Sequence, residues 1–308
     1  MITVGMNPFI TTQGSTTDAM KTVLIGAICN IILDPILIFG FHMGVAGAAL
    51  ATIISQGIST IWVLYFLFGR RTRIRIYREN LRISSKIIGP LLALGISPFI
   101  MGSTESILNI AFNSSLSRYG GDIAVGAMTI LSSVMQLLTL PIQGLTQGAQ
   151  PIISYNYGAR KTERVQKAYR YLLCYATGYT ILFWLAVQIT PETFVRIFNS
   201  SSPELITTTA WALRVYFAAG CMFGILFSVQ QTFMALGQAK LSLFIASLRK
   251  IILLIPLIYI LPIFMEDNVF AVFLAEPIAD FGSIATAGVL FAMNIKRILR
   301  VNGNRMDQ

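Results

Sequence analysis

Apolar stretches of about 20 residues or more recur from one end of this chain to the other, and no other feature limits its fold so strongly. The clearest reads Thr22-Val-Leu-Ile-Gly-Ala-Ile-Cys-Asn-Ile-Ile-Leu-Asp-Pro-Ile-Leu-Ile-Phe39. A helix needs that length to cross a bilayer, whereas the strands of a membrane barrel would be about half as long. With 55% hydrophobic and 12% charged residues among 308, and a mean hydropathy of +0.70, there is too little polar side chain to wrap a soluble globule. The pattern predicts an all-α, polytopic membrane protein of about eight spans. They are Ala19–Phe41, Val45–Phe68, Ile87–Phe112, Ile123–Ile153, Tyr171–Ile189, Leu205–Leu236, Leu241–Phe264 and Val269–Met293. The fourth and sixth exceed a bilayer's thickness, so they are expected to tilt, kink or protrude.

A net charge of +10 would suit a nucleic-acid partner, but the basic residues lie in alternate loops. The segment Arg70–Lys86 holds seven, Arg160–Arg170 five, and the stretch from Lys296 to Arg305 four. With the amino end of the first span inside, 18 of the 23 Lys and Arg fall on the cytoplasmic face. The positive-inside rule then places the carboxyl terminus in the cytoplasm, and no nucleic-acid partner is expected. Four segments are expected: 1–69, a basic cytoplasmic linker at 70–86, a helical body at 87–300 and a cytoplasmic tail at 301–308.

Polar residues inside such spans are costly and therefore informative. Asn30 and Asp34 stand four apart on one helix face, where they either share a cation with a neighbouring helix or hold two helices together. Glu105 and Asn109 form a second face of this kind. Removal from water disfavours a carboxylate's charged form, so Glu105 could exchange a proton for an organic cation, one acid serving both in turn. Gln136, Gln143 and Gln147 share a stripe beside Pro141, a candidate break in the backbone; they either read substrate or bridge helices. Glu276 and Asp280, again four apart, are expected to pair with Arg249 or Lys250 in a structural or gating role. Cys29, Cys174 and Cys221 all lie within spans, which fits neither a disulfide framework nor a zinc site. His42 lies in a short turn. No Ser/His/Asp set, phosphate-cradling glycine loop or buried metal-ligand pair marks the chain as an enzyme.

An internal repeat is expected as well. Val45-Ala-Gly-Ala-Ala-Leu-Ala-Thr-Ile-Ile54 lies on Val269-Phe-Ala-Val-Phe-Leu-Ala-Glu-Pro-Ile278, matching at Val, Leu, Ala and Ile. If it holds, the first repeat would start on the order of 140 residues before Met1.

Asn7-Pro-Phe-Ile-Thr-Thr-Gln-Gly14, Asn30-Ile-Ile-Leu-Asp-Pro35, Gly44-Val-Ala-Gly-Ala-Ala-Leu-Ala-Thr52, Gly148-Ala-Gln-Pro-Ile-Ile-Ser-Tyr-Asn-Tyr-Gly158 and Leu274-Ala-Glu-Pro-Ile-Ala-Asp280 resemble the multidrug and toxic compound extrusion (MATE) transporters, in particular their bacterial MepA-like branch. That resemblance implies two six-helix lobes, of which this chain would hold the last two helices of the first and all of the second. The family's first four helices, with an acid that serves cation coupling in many members, would be missing or supplied by a complementary chain.

The resemblance further implies export of small organic cations by alternating access. Asn30, Asp34 and Thr52 would hold the coupling ion, H+ or Na+, with no other cofactor. Glu105, with Asn109 and the three glutamines, would meet substrate. Gly224-Ile-Leu-Phe-Ser-Val-Gln-Gln231 offers glutamines where some branches carry an acid. Two other readings are a lipid-linked oligosaccharide flippase of the same superfamily and a non-transporting fragment or assembly subunit.

Overall fold

The computed structural model describes residues 2–69, 72, 85–199 and 202–304. Of the expected basic linker, residues 70, 71 and 73–84 lie outside this set, as do residues 305–308 of the expected tail. The chain forms two compact units, Met1–Ile88 and Gly89–Gln308. All regular structure among the described residues is helical.

In the first unit α1 (Ile2–Thr12), α2 (Thr16–Pro35) and α3 (Gly44–Phe68) pack together. Pro35 has no N–H to give and crowds the carbonyl four residues back, so the helix continues past it as a wider π turn, Ile36–Gly40. The buried face of α3 is Gly47, Ala51, Ser55, Ser59, Val63 and Leu67, each four residues from the last. Small residues on that stripe bring the backbones of α2 and α3 close. A Cβ on Gly47 would lie 2.8 Å from the carbonyl carbon of Leu37. Ser59 donates to the Thr22 carbonyl at 3.0 Å. Outward face Ile28, Ile31, Ile32 and Phe39, all exposed; such a surface is a liability in water and ordinary against lipid.

The second unit begins within α4 (Ser85–Gly158), 74 residues long and interrupted at Gly121, whose φ of 60° and ψ of −154° are open to glycine and strained for other residues. Its arms, 85–120 and 122–158, correspond to the third and fourth expected spans. After α4 come α5 (Thr162–Ile189), the short α6 (Pro191–Phe198), α7 (Pro203–Tyr216) and α8 (Phe223–Ala235). The sixth expected span is not one helix: α7 and α8 are bent by 48° at a break. The break is held from outside, because Thr180 donates to the Cys221 carbonyl at 3.0 Å and Gln188 to the Arg214 carbonyl at 3.0 Å. Hydrocarbon tolerates freed carbonyls only where such donors are at hand.

The remaining elements are α9 (Ala239–Ser247), a π-helical stretch Leu248–Leu254, α10 (Ile255–Phe264) and α11 (Asn268–Asn304). The π stretch ends two residues before Pro256, which again removes a donor; the Ile255 N–H reaches back to the Lys250 carbonyl. Six helices among the described residues are long and apolar enough to cross a membrane, or seven with the bent pair taken as one span. That count takes α4 once. Divided at Gly121, α4 yields two arms longer than the roughly 20 residues a span requires, and the eight expected spans are then accounted for. Phe217, Phe223, Phe233 and Phe273 are fully buried in the core of this unit.

Candidate functional site

The second unit carries a cluster of five charged side chains at membrane depth. The π stretch presents Arg249 and Lys250 in succession, and neighbouring residues on a helix point about 100° apart. Arg249 turns inward to α11, where its Nη2 donates to Glu276 Oε1 at 2.8 Å and its Nε donates to Asp280 Oδ1. Its guanidinium also lies 5.1 Å from the centre of the Phe223 ring on α8. Lys250 turns the other way and pairs with Glu105 on the first arm of α4.

Burial separates Glu105 from the other four, the Lys250 side chain being only 17% exposed. Arg249, Glu276 and Asp280 are 9%, 4% and 0% exposed, so breaking their pairs would strand charge in a dry core. One guanidinium faces two carboxylates, and Glu276 Oε2, Asp280 Oδ2 and the Ser283 hydroxyl are buried without a protein partner. The Glu105 side chain, by contrast, is 58% exposed. It does not stand alone, because Lys250 pairs with it. Lys250 is 145 positions away in sequence, and no local pattern marks it as the partner.

The polar residues expected to meet substrate stay open. Asn109, Gln136, Gln143 and Gln147 are all exposed. Pro141 does not break the helix, since the non-helical backbone of α4 is confined to Gly121. Tyr179 on α5 donates to the Leu137 carbonyl at 2.9 Å, the acceptor that Pro141 cannot serve. A glutamine bridge that the stripe does not include joins Gln231 Nε2 on α8 to Gln150 Oε1 on α4 at 2.8 Å.

In the first unit, Asn30 and Asp34 share a half-buried face of α2, and Asn30 Nδ2 and Asp34 Oδ1 are buried without a protein partner. Thr52 is exposed, and its hydroxyl donates to the Ala48 carbonyl of its own helix at 3.0 Å rather than to either residue. Among the described residues no group of three His, Cys, Asp or Glu could hold a metal ion. The side-chain oxygens of Asn30, Asp34 and Thr52 are of the kind Na+ takes, the Thr52 hydroxyl keeping its lone pairs while it donates.

The family model described as MatE matches residues 98–260, which include Glu105, Arg249 and Lys250. The chain is 26% identical over 232 residues to the multidrug export protein MepA of Staphylococcus haemolyticus (strain JCSC1435), covering 75% of this chain and 50% of that protein. It is 25% identical over 256 residues to MepA of Staphylococcus saprophyticus, covering 83% and 56%. The chain thus spans about half the length of the curated relatives it matches. In fold it is similar to a crystal structure described as MATE in complex with MaL6, with a TM-score of 0.89, 22% identity, and 97% of this chain and 67% of that one covered. The outward-facing conformation of a multidrug resistance MATE family transporter of the MOP superfamily gives a TM-score of 0.87 at 22% identity, over 96% and 66%.

Proposed function

The chain belongs to the MatE family, and from that premise we propose that it is part of a secondary transporter that exports organic cations in exchange for H+ or Na+ by alternating access. This reading makes it a multi-pass protein of the cell membrane and not an enzyme. Its relatives are described as multidrug export proteins, which supports the substrate class.

The observation that carries the reading is the Lys250–Glu105 pair within the family-matched stretch. Glu105 is more than half exposed, so one side of its carboxylate remains free while the other meets the ammonium. An organic cation arriving beside Asn109 and the exposed glutamines would take Lys250's place. When the cation leaves, the lysine or a proton restores neutrality. Arg249, Glu276 and Asp280 act structurally, fixing the π stretch that carries Lys250. In the first unit, Asn30 and Asp34 are assigned to the coupling ion together with Thr52, whose hydroxyl oxygen keeps its lone pairs for a cation while its proton goes to the Ala48 carbonyl.

The test is ethidium efflux from proteoliposomes holding this chain joined to the first four helices of a MepA relative. Glu105→Gln is expected to abolish efflux, and Glu105→Asp to keep part of it. Asp34→Asn should slow gradient-driven turnover while leaving dye affinity nearly intact. Efflux at the parental rate by Glu105→Gln would remove Glu105 from the mechanism.

A further inference from the structure

Away from the charged cluster, the last turns of α4 and the first turns of α5 enclose an open groove of about 440 Å³. Its walls are two helical stripes: Leu145, Ala149, Ile152 and Asn156 on α4, and Arg164, Lys167, Ala168, Tyr171, Leu172 and Tyr175 on α5. The two helices run in opposite directions from the short turn between Gly158 and Thr162, so sequence position measures distance from that turn. Asn156, Arg164 and Lys167 lie at the turn end, and Leu145 and Tyr175 lie at the far end. Eleven residues of helix separate Asn156 from Leu145, roughly 16 Å at 1.5 Å per residue.

The groove is therefore graded, cationic at one end and apolar along the rest. Arg164 and Lys167 are exposed and three apart on one face, and neither pairs with a carboxylate among the described residues. Lys167 Nζ lies 5.9 Å from the centre of the Tyr171 ring. Tyr171 and Tyr175 are 54% and 67% exposed, in keeping with amphipathic rings at a bilayer interface. Two cations without a carboxylate partner among the described residues attract an anion. A soluble phosphate would leave the apolar length of the groove unfilled, whereas a phospholipid satisfies both ends.

We propose that the groove between α4 and α5 seats an anionic phospholipid, with its phosphate on Arg164 and Lys167 and an acyl chain along Leu145, Ala149, Ile152 and Leu172. Basic pockets between membrane helices suit anionic head groups for this reason. The lipid would come from the leaflet level with the α4–α5 turn.

The test is native mass spectrometry of the 308-residue chain released from detergent after incubation with phosphatidylglycerol, with phosphatidylcholine of the same acyl chains, or with glycerol 3-phosphate. Phosphatidylglycerol should stay bound where phosphatidylcholine does not, and glycerol 3-phosphate should not displace it. The double variant Arg164→Gln/Lys167→Gln should bind phosphatidylglycerol about thirty-fold more weakly, at about 1 kcal/mol per surface charge. Both side chains are exposed, so the double variant should keep the parental helix content. Ala149→Trp, which fills the groove and spares both charges, should also lose the lipid, whereas Arg160→Gln in the turn should retain it. Equal retention of the two lipids, unchanged binding in the double variant, or displacement by glycerol 3-phosphate would overturn the proposal, the last by making the groove a soluble-phosphate site.

Discussion

The hydroxyl of Tyr179 donates to the carbonyl of Leu137 at 2.9 Å, at the one rung of the α4 ladder that Pro141 leaves without an N–H. A neighbouring helix thus supplies the donor that lets α4 run on through a proline at membrane depth. Tyr179→Phe is expected to cost about 0.5–1.5 kcal/mol. Pro141→Ala restores the helix's own donor, so the same change in that background should cost less. A double-mutant cycle by denaturant titration in detergent measures the difference. Equal costs in the two backgrounds would reduce Tyr179 to a packing residue.

Close approach of α5 and α8 depends on a missing side chain. A Cβ on Gly224 would lie 2.5 Å from Thr177 Cα and from Ala176 C, both backbone atoms that cannot turn aside. Gly224→Ala should therefore destabilise by about 1–3 kcal/mol. On α4, Gly148 has nothing within 4 Å of its Cβ position, and Gly148→Ala should be neutral or stabilise by up to about 1 kcal/mol. Thermal unfolding of the two variants in the same detergent checks the pair. A Gly224→Ala protein as stable as its parent would mean that the helices can move apart freely.

Arg249 pairs with two carboxylates that are 4% and 0% exposed. Arg249→Met leaves both charges without their partner and should cost about 3–5 kcal/mol, seen as a loss of folded, detergent-extractable protein. Adding Glu276→Gln and Asp280→Asn removes the stranded charges, and folded yield should recover. Normal yield of Arg249→Met alone would show that the cluster does not support the fold.

The alternate-loop charge bias gives a direct expectation for orientation. A cysteine in place of Thr162, at the start of α5, should be shielded from an impermeant thiol reagent in intact cells, and one in place of Asn268, at the start of α11, should be labelled. The reverse labelling pattern would invert the assigned topology.

Membrane helices were legible in this sequence because long runs without charge leave the backbone few solutions in lipid, and each expected span has its counterpart in the structure. That Glu276 and Asp280 pair with a base of the preceding helix was legible too, though not which of Arg249 and Lys250 supplies it. Two acids four apart on one helix, with a base on the preceding helix, have few other partners at that depth. The break between α7 and α8 was not, since it falls at Phe217-Ala-Ala-Gly-Cys221, which contains no proline and a single glycine. What stabilises it is Thr180 and Gln188, both on α5. The partner of Glu105 was equally hidden, as was the contact that spares Pro141 from breaking α4.

By itself, then, the sequence determined that this chain is helical and membrane-spanning, with polar faces at Asn30 and Asp34 and at Glu105 and Asn109, because composition and helical period act within a single segment. Only the tertiary structure decided that Lys250 takes Glu105 while Arg249 takes Glu276 and Asp280, that Thr52 turns back on its own helix, and that a cationic, apolar-walled groove opens beside the α4–α5 turn. Those outcomes depend on which helices lie side by side. A hydrogen bond or ion pair acts over a few ångströms in space, and a separation of 145 positions along the chain leaves no trace of that proximity in the local pattern.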